Sequence, residues 1–445
     1  MRSVKLAIEG DWWDSYVYAG LLYLLRPDGT VVVAPWRPLV QRLAIGRRLD
    51  DLGLELAFLD ARYLYGEQWA RLVSDPEIGD VLTKKFERLA DADLVLTQND
   101  LRAVNAHTAG GLAPEALTDL EIHNNVVYFA SEDGLRAVPR RRVTQPDSAT
   151  SRLWDAEVFR VRAQGRVLAL AAGSDGLFER HAEPRAAFVS DLIKHPEPHA
   201  LVSGDFFSCG WVGSSIYATS YVNAGTLALF TEERDLRRRR TYRFFEDAIA
   251  DDDLFAPDRL RDIELSVPET LATEPAEDQA GSDDSLDAED QRVIFDRRVS
   301  EPIKAAEGDG GLSWGGYQLI CQSVGNEVRV AHYQGRSRAR RLNERLRFPP
   351  SLKLPEDAGA QDVIAGDVAP FGVVVESDRD LFVMSDAGVW RLGYEPARWR
   401  TFARATNYPN QLHVVADDRL EIHSFNTRML SLLRSERKLL GRTRR

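Results

Sequence analysis

A short apolar or alternating run, a turn built on Asp-Gly or a similar pair, and a second short apolar run make a unit that recurs along this 445-residue chain and restricts its fold more than any other feature. The clearest copies are YLLRPDGTVVV around Gly29, VYFASEDGLRAV around Gly134 and LALAAGSDGLFER around Gly176. Looser copies turn at Asn99-Asp100, Gly225, Gly325-Asn326, Gly388 and Asp417-Asp418. Each reads as a β-hairpin: tight two-residue loops need positive φ, which Gly, Asn and Asp tolerate, and the Val, Tyr and Phe of the arms suit a pleated, half-buried surface. Leu101-Arg102-Ala103-Val104 recurs 34 positions later as Leu135-Arg136-Ala137-Val138, which reads as duplication. Spacings of 42 residues from Gly134 to Gly176 and 49 from Gly176 to Gly225 fit one four-stranded sheet per repeat, and longer gaps call for insertions.

The expected fold is all-β, a single-domain β-propeller over 1–445, seven-bladed in first place with six or eight as alternatives. Such rings close by pairing strands from the two termini, so Val4–Ile8 should complete a blade with residues near His413–Phe425. A helical insertion is expected over 66–92, where Asp75-Pro76 supplies an N-cap and a first-turn proline ahead of Ile78, Val81, Leu82, Phe86 and Leu89 at helical spacing. A second, acidic insertion over 265–292 has no aromatic residue and is expected to be disordered. The basic stretch 434–445 reads as a peripheral tail.

The turns S-E-D-G-L, S-D-G-L-F and S-D-A-G-V-W resemble those of degenerate bacterial β-propellers. There is no run of Gly-His and Trp-Asp dipeptides such as WD40 repeats carry, and there are no paired glycines of kelch type. Ser385 to Trp390 is similar to the Asp-box of sialidases with one residue missing, and that box is a structural turn remote from chemistry.

Composition narrows the function classes. The formal charge of −12 argues against a general nucleic-acid coat. Two cysteines, Cys209 and Cys321, fit a reducing compartment, and Glu9, Asp11 and Asp14 interrupt the segment where a signal peptide needs an apolar core. No apolar run approaches the roughly 18–20 residues that span a bilayer. A soluble, cytoplasmic protein without membrane attachment is the expectation.

Motifs for chemistry are weak. Lys194-His195-Pro196-Glu197-Pro198-His199 gathers potential metal ligands, but its prolines forbid a helical ligand face, so it reads as a solvated loop. Glu121-Ile122-His123 and Glu421-Ile422-His423 repeat a tripeptide in strand-like runs and read as polar outer faces. Neither a nucleophile elbow nor a phosphate-binding loop is present, and no cofactor or metal is expected. Asp11, Asp14, Asp155, Asp205 and Asp367 lie near strand starts, where a propeller hydrolase or lyase would place channel carboxylates.

Arginine clusters carry more weight. They include Arg140, Arg141 and Arg142; Arg237, Arg238, Arg239, Arg240 and Arg243; and Arg338, Arg340, Arg341 and Arg345, with Tyr242, Phe244, Tyr333 and Phe348 interleaved. Guanidinium forks pair bidentately with phosphate or carboxylate, so these are candidate contacts for an anionic partner. The leading expectation is a noncatalytic scaffold or recognition subunit that binds another protein in a bacterial multi-component system. Nucleic acid or another polyanion on the Arg-rich loops comes second, and a channel hydrolase or lyase third.

Overall fold

The computed structural model describes residues 3–44, 51–65, 75–145, 149–182, 197–220, 222, 225–230, 297–299, 311–317, 319–332, 348–355, 363–386, 388–393, 396 and 398–426. Seven sheets, antiparallel apart from one strand pair in the last, follow one another around a ring. Their innermost strands, in chain order, are Asp14–Tyr18, Leu117–His123, Arg160–Gln164, Phe206–Val212, Ser313–Gly316, Val363–Ala369 and Arg398–Thr401, which define blades 1 to 7. The fold is therefore a seven-bladed β-propeller.

Turn chemistry sets the blades locally. In blade 2, Gly134 opens the third strand at φ +123°, and a Cβ there would lie 2.1 Å from the Trp154 carbonyl oxygen of the fourth. Only glycine permits both the backbone angle and that approach. The apolar side chains then stack between neighbouring sheets. Tyr23, Leu25, Val31 and Val33 of blade 1 pack with Leu120, Ile122, Val127 and Phe129 of blade 2, and Val126, Tyr128 and Leu135 of blade 2 pack with Val161, Leu168 and Leu170 of blade 3. The core is thus a series of wedges between blades, each sheet burying both faces, and this accounts for strands such as Val167–Ala171 that are buried at every position.

Ring closure joins the termini. Val4–Glu9 pairs antiparallel with Arg419–Ser424 in blade 7, matching Val4 with Ser424 and Ile8 with Leu420. On its other edge Val4–Glu9 pairs in parallel with Leu94–Leu96, a strand contributed by the insertion between the third and fourth strands of blade 1. Blade 7 consequently has five strands.

That insertion carries a helix over Pro76–Ala90, started by the Asp75 carboxylate, which accepts from the Glu77 N–H at 3.1 Å, and by proline in the first turn. Leu82, Phe86 and Leu89 are buried, whereas Val81 is exposed. A π-helical turn, Glu55–Leu59, is clasped by blade 7: Asn410 Nδ2 donates to Ala57 O at 2.9 Å and Gln411 Nε2 to Phe58 O at 2.8 Å, while Trp36 Nε1 donates to Phe58 O at 2.7 Å.

Two expectations from sequence are corrected. Asn99-Asp100 is not a hairpin turn; Gln98–Ala103 is a helix, because Thr97 and Asp100 form a reciprocal capping box that satisfies the orphan N–H groups of a helix start. Its likeness to Leu135–Val138, a strand, is therefore no structural repeat. The acidic segment 265–292 and the tail 434–445 lie outside the described residues.

Candidate functional site

The innermost strands surround a central channel, and a cavity of about 460 Å³ occupies it. Alternation along each strand decides what it receives. In blade 2 a β-bulge between Leu117 and Asp119 resets the pleat, so that Asp119 and Glu121 share one face while Leu120 and Ile122 enter the wedge against blade 1. Blade 3 contributes Arg160 and Arg162, with Val161 between them in the apolar wedge. Blade 7 contributes Arg398 and Arg400 and, just beyond its strand, Arg404; blade 1 contributes Asp14 and Tyr16, and blade 6 Asp367.

Asp14, Asp119, Arg162, Arg398 and Arg400 form one network. Arg400 Nη2 donates to Asp14 Oδ2 at 2.6 Å and to Asp119 Oδ1 at 2.9 Å. Asp119 Oδ2 accepts from Arg162 Nη1 at 2.6 Å and from the Val161 N–H at 3.0 Å. Arg398 lies 3.3 Å from Asp14 through Nε, donates to the Thr118 carbonyl and stacks 3.7 Å above the Trp13 ring. On the opposite wall Asp367 accepts from the Thr401 hydroxyl at 2.7 Å. Arg404 crosses the channel to donate to the Trp211 carbonyl and, at 3.5 Å, to that of Gly213. The Trp314 ring lies against Gly366, where a Cβ would come within 2.3 Å of the indole.

Electrostatics divide the carboxylates. Burial raises the Asp119 carboxyl, but Arg162, Arg160, Arg400 and Arg398 outweigh it and hold the group well below the usual carboxylate range. Burial dominates at Glu121 and pushes it up, with Arg162 and Arg400 pulling against it. Among the cations, burial pulls both Arg160 and Arg404 down to about 10, still charged at neutral pH. Arg400 is also opposed by burial, yet Asp14 and Asp119 raise it well above its ordinary value.

Sequence reading located part of this site. Of the five suggested channel carboxylates, Asp14 is in the network and Asp367 lines the cavity, whereas Asp11, Asp155 and Asp205 are exposed. The reading of Glu121-Ile122-His123 and Glu421-Ile422-His423 as polar outer faces is corrected. Glu121 lines the channel, while Glu421 and His423 are buried beside Val4–Glu9, where Lys5 and Arg419 meet Glu421 at 3.2 and 2.9 Å. A strand buried on both faces has no outer face. Asp119, Arg160, Arg162, Arg398, Arg400 and Arg404 were missed. A signal was available in the period-two charges of Asp119-x-Glu121, Arg160-x-Arg162 and Arg398-x-Arg400.

Of the candidate anion contacts, Arg140, Arg141 and Arg142 form a 3₁₀ turn after the third strand of blade 2, away from the cavity lining. Arg140 packs on the Tyr18 ring at 6.0 Å and donates through Nε to Asn125 Oδ1 at 3.1 Å. Arg237, Arg238, Arg239, Arg240, Arg243, Arg338, Arg340, Arg341 and Arg345 lie outside the described residues. So does 194–196 of the His-Pro-Glu-Pro-His segment, while His199 begins an edge strand. Among the described residues no group of three potential ligands is placed to hold a metal ion, and no helix is long and apolar enough to cross a membrane.

The class is a seven-bladed β-propeller with a charged central channel. No family model matches the chain, and no curated protein matches it. Among solved structures it is similar to the computationally designed Ika8 protein, at 9% identity over 96% of this chain and 100% of that one, with a TM-score of 0.40. It is also similar to apo AztD from Citrobacter koseri, at 8% identity over 91% and 79% of the two chains with a TM-score of 0.37, and to Kluyveromyces lactis Hsv2, at 8% over 93% and 91% with a TM-score of 0.38. At such values the likeness carries nothing about function, and the ring is established by its own strand pairing.

Proposed function

We propose that this protein is a noncatalytic recognition subunit of a cytoplasmic bacterial assembly, and that it holds a partner protein at its central channel. The observation that supports this reading is the state of Asp119. The channel's firmly ionised carboxylate has a side-chain exposure of 0%, and its oxygens are occupied by Arg162, Arg400 and the Val161 N–H. A nucleophile or general base must reach a substrate atom or a water, and a sealed carboxylate reaches neither. What faces the cavity, beside Glu121 and Asp367, is a set of guanidinium and aromatic groups, the residue types that anchor recognition surfaces.

One observation favours a channel hydrolase or lyase as the second reading: Asp119 is held low while Glu121 is pushed up, the divergence that acid/base pairs display. Burial of Asp119 weighs against it.

The test is affinity capture from the native host with wild-type protein and with Ser208→Trp, which places an indole in the cavity. A stoichiometric protein kept through high salt and nuclease by the wild type and lost by the variant supports recognition at the channel. Equal retention by both moves the contact elsewhere. No retained protein, together with turnover of a glycoside or polyuronide panel that Glu121→Gln abolishes, replaces the proposal with the enzyme reading.

A further inference from the structure

We infer that the channel contains a seat for one anionic group, a carboxylate or a phosphate, built from Arg160 and Arg404. This deepens the recognition reading above and rests on it.

The argument begins with an imbalance. Five guanidiniums, Arg160, Arg162, Arg398, Arg400 and Arg404, meet four carboxylates, Asp14, Asp119, Glu121 and Asp367, in and beneath the cavity. The pairing is also uneven. Arg162, Arg398 and Arg400 approach Asp119 or Asp14 to between 2.6 and 3.3 Å. Arg160 comes no nearer than 3.7 Å to Asp119, whose oxygens already accept from three other donors. The Arg160 Nε is buried without a hydrogen-bond acceptor although the side chain is only 27% exposed. Arg404 places Nη2 on two neutral carbonyls, with no carboxylate within ion-pair distance among the described residues.

A buried N–H left unpaired costs roughly 1–3 kcal/mol, and a desolvated cation short of counter-charge costs more. Burial lowers Arg160 and Arg404 alike, which agrees with cations that lack compensation inside the protein. One ligand group with two or more acceptor oxygens would give both guanidiniums a counter-charge. Carboxylate and phosphate have that form, and guanidinium forks bind both. The cavity is larger than either group alone, and Tyr16, Trp211, Tyr317 and Phe402 offer flat apolar surface to the body that carries it. The same chemistry can come from a free small anion or from an acidic terminus of a docked polypeptide.

Anion binding is measured on the full chain by calorimetry and thermal unfolding at low, constant ionic strength. The probes are inorganic phosphate, succinate, and an uncharged-side-chain tetrapeptide with a free or an amidated C-terminus. The expected result is a saturable rise in Tm with at least one anion and a loss of affinity of about tenfold or more in Arg160→Gln and Arg404→Gln. Arg160→Gln should cost little stability when anion is absent, since Arg160 meets Asp119 only at 3.7 Å and Asp119 keeps three closer donors. Arg379→Gln, on the surface, should bind as the wild type does. Preference for the free-carboxylate peptide over succinate and phosphate assigns the seat to a partner's terminus; the reverse assigns it to a free anion. Absence of saturable binding by every probe, or unchanged affinity in folded Arg160→Gln, overturns the seat. If Ser208→Trp loses the captured partner while Arg160→Gln keeps it, the seat is wrong and recognition stands; if Ser208→Trp keeps it, the recognition reading itself has failed.

Discussion

Arg400, on the innermost strand of the last blade, donates to Asp119 of the second at 2.9 Å, reaching past the first blade, whose Asp14 it also engages at 2.6 Å. Three blades are tied at one guanidinium, and two of them flank the seam where the ring closes. Removing one partner from a buried ion pair leaves the other charge uncompensated. Arg400→Met is therefore expected to cost about 3–5 kcal/mol in urea unfolding at neutral pH. Arg400→Met with Asp119→Asn should cost less than the two single changes added together, a double-mutant cycle that checks the coupling.

The same seam contains a pH-sensitive group. His413 is buried and shares a hydrogen bond with Ser15 Oγ at 2.8 Å through Nδ1, while its Nε2–H faces Gln411 Oε1 at 3.2 Å. Burial first, then Arg400 and His423, hold it well below its ordinary value of 6.5. The folded protein thus keeps His413 neutral at pH values where the unfolded chain binds a proton. Its contribution to stability is complete above 6.5 and declines as pH falls toward the folded value. Urea titrations across that range should show a falling midpoint, and His413→Gln a shallower slope. His332, lowered by burial, contributes with the same sign and accounts for part of the remainder.

Asn410 clasps the insertion to the ring. Its Nδ2 donates to Ala57 O at 2.9 Å, Ser424 Oγ at 2.8 Å and Asn426 Oδ1 at 3.0 Å. Asn410→Ala strands buried acceptors, and a loss of about 2–3 kcal/mol is expected, together with faster proteolysis within the insertion. Thermal unfolding and timed digestion check the two parts separately.

Cys209 and Cys321 are both buried and both free. Burial pushes the Cys209 thiol up to about 12 and raises Cys321 as well. Only a thiolate attacks a disulfide reagent. Ellman's reagent should find no reactive thiol in the native protein at mildly alkaline pH and two after unfolding in urea.

Much of the ring was legible in the linear chain because hairpins are local. Gly134 and Gly176 mark turns through backbone angles that neighbouring residues cannot adopt, and the runs beside them alternate or stay apolar according to their burial. Locality also misled. Leu101–Val104 looks like Leu135–Val138, yet Thr97 and Asp100, placed to cap a helix, decide the first segment against the strand formed by the second.

The site was far less legible. Asp14 and Asp367 were picked out by position near strand starts, but so were three carboxylates that face solvent. Arg400 and Asp119 are 281 residues apart, and nothing local links them. The sequence by itself determined how many short hairpins the chain can form, where they turn and which of their faces are apolar, since those depend on φ preferences and side-chain polarity within a few residues. Only the tertiary structure decided which charges share the channel, which carboxylate is sealed and which guanidiniums are left without a close carboxylate, because closing the ring superimposes strands from opposite ends of the chain and removes the water that would otherwise have kept their charges independent.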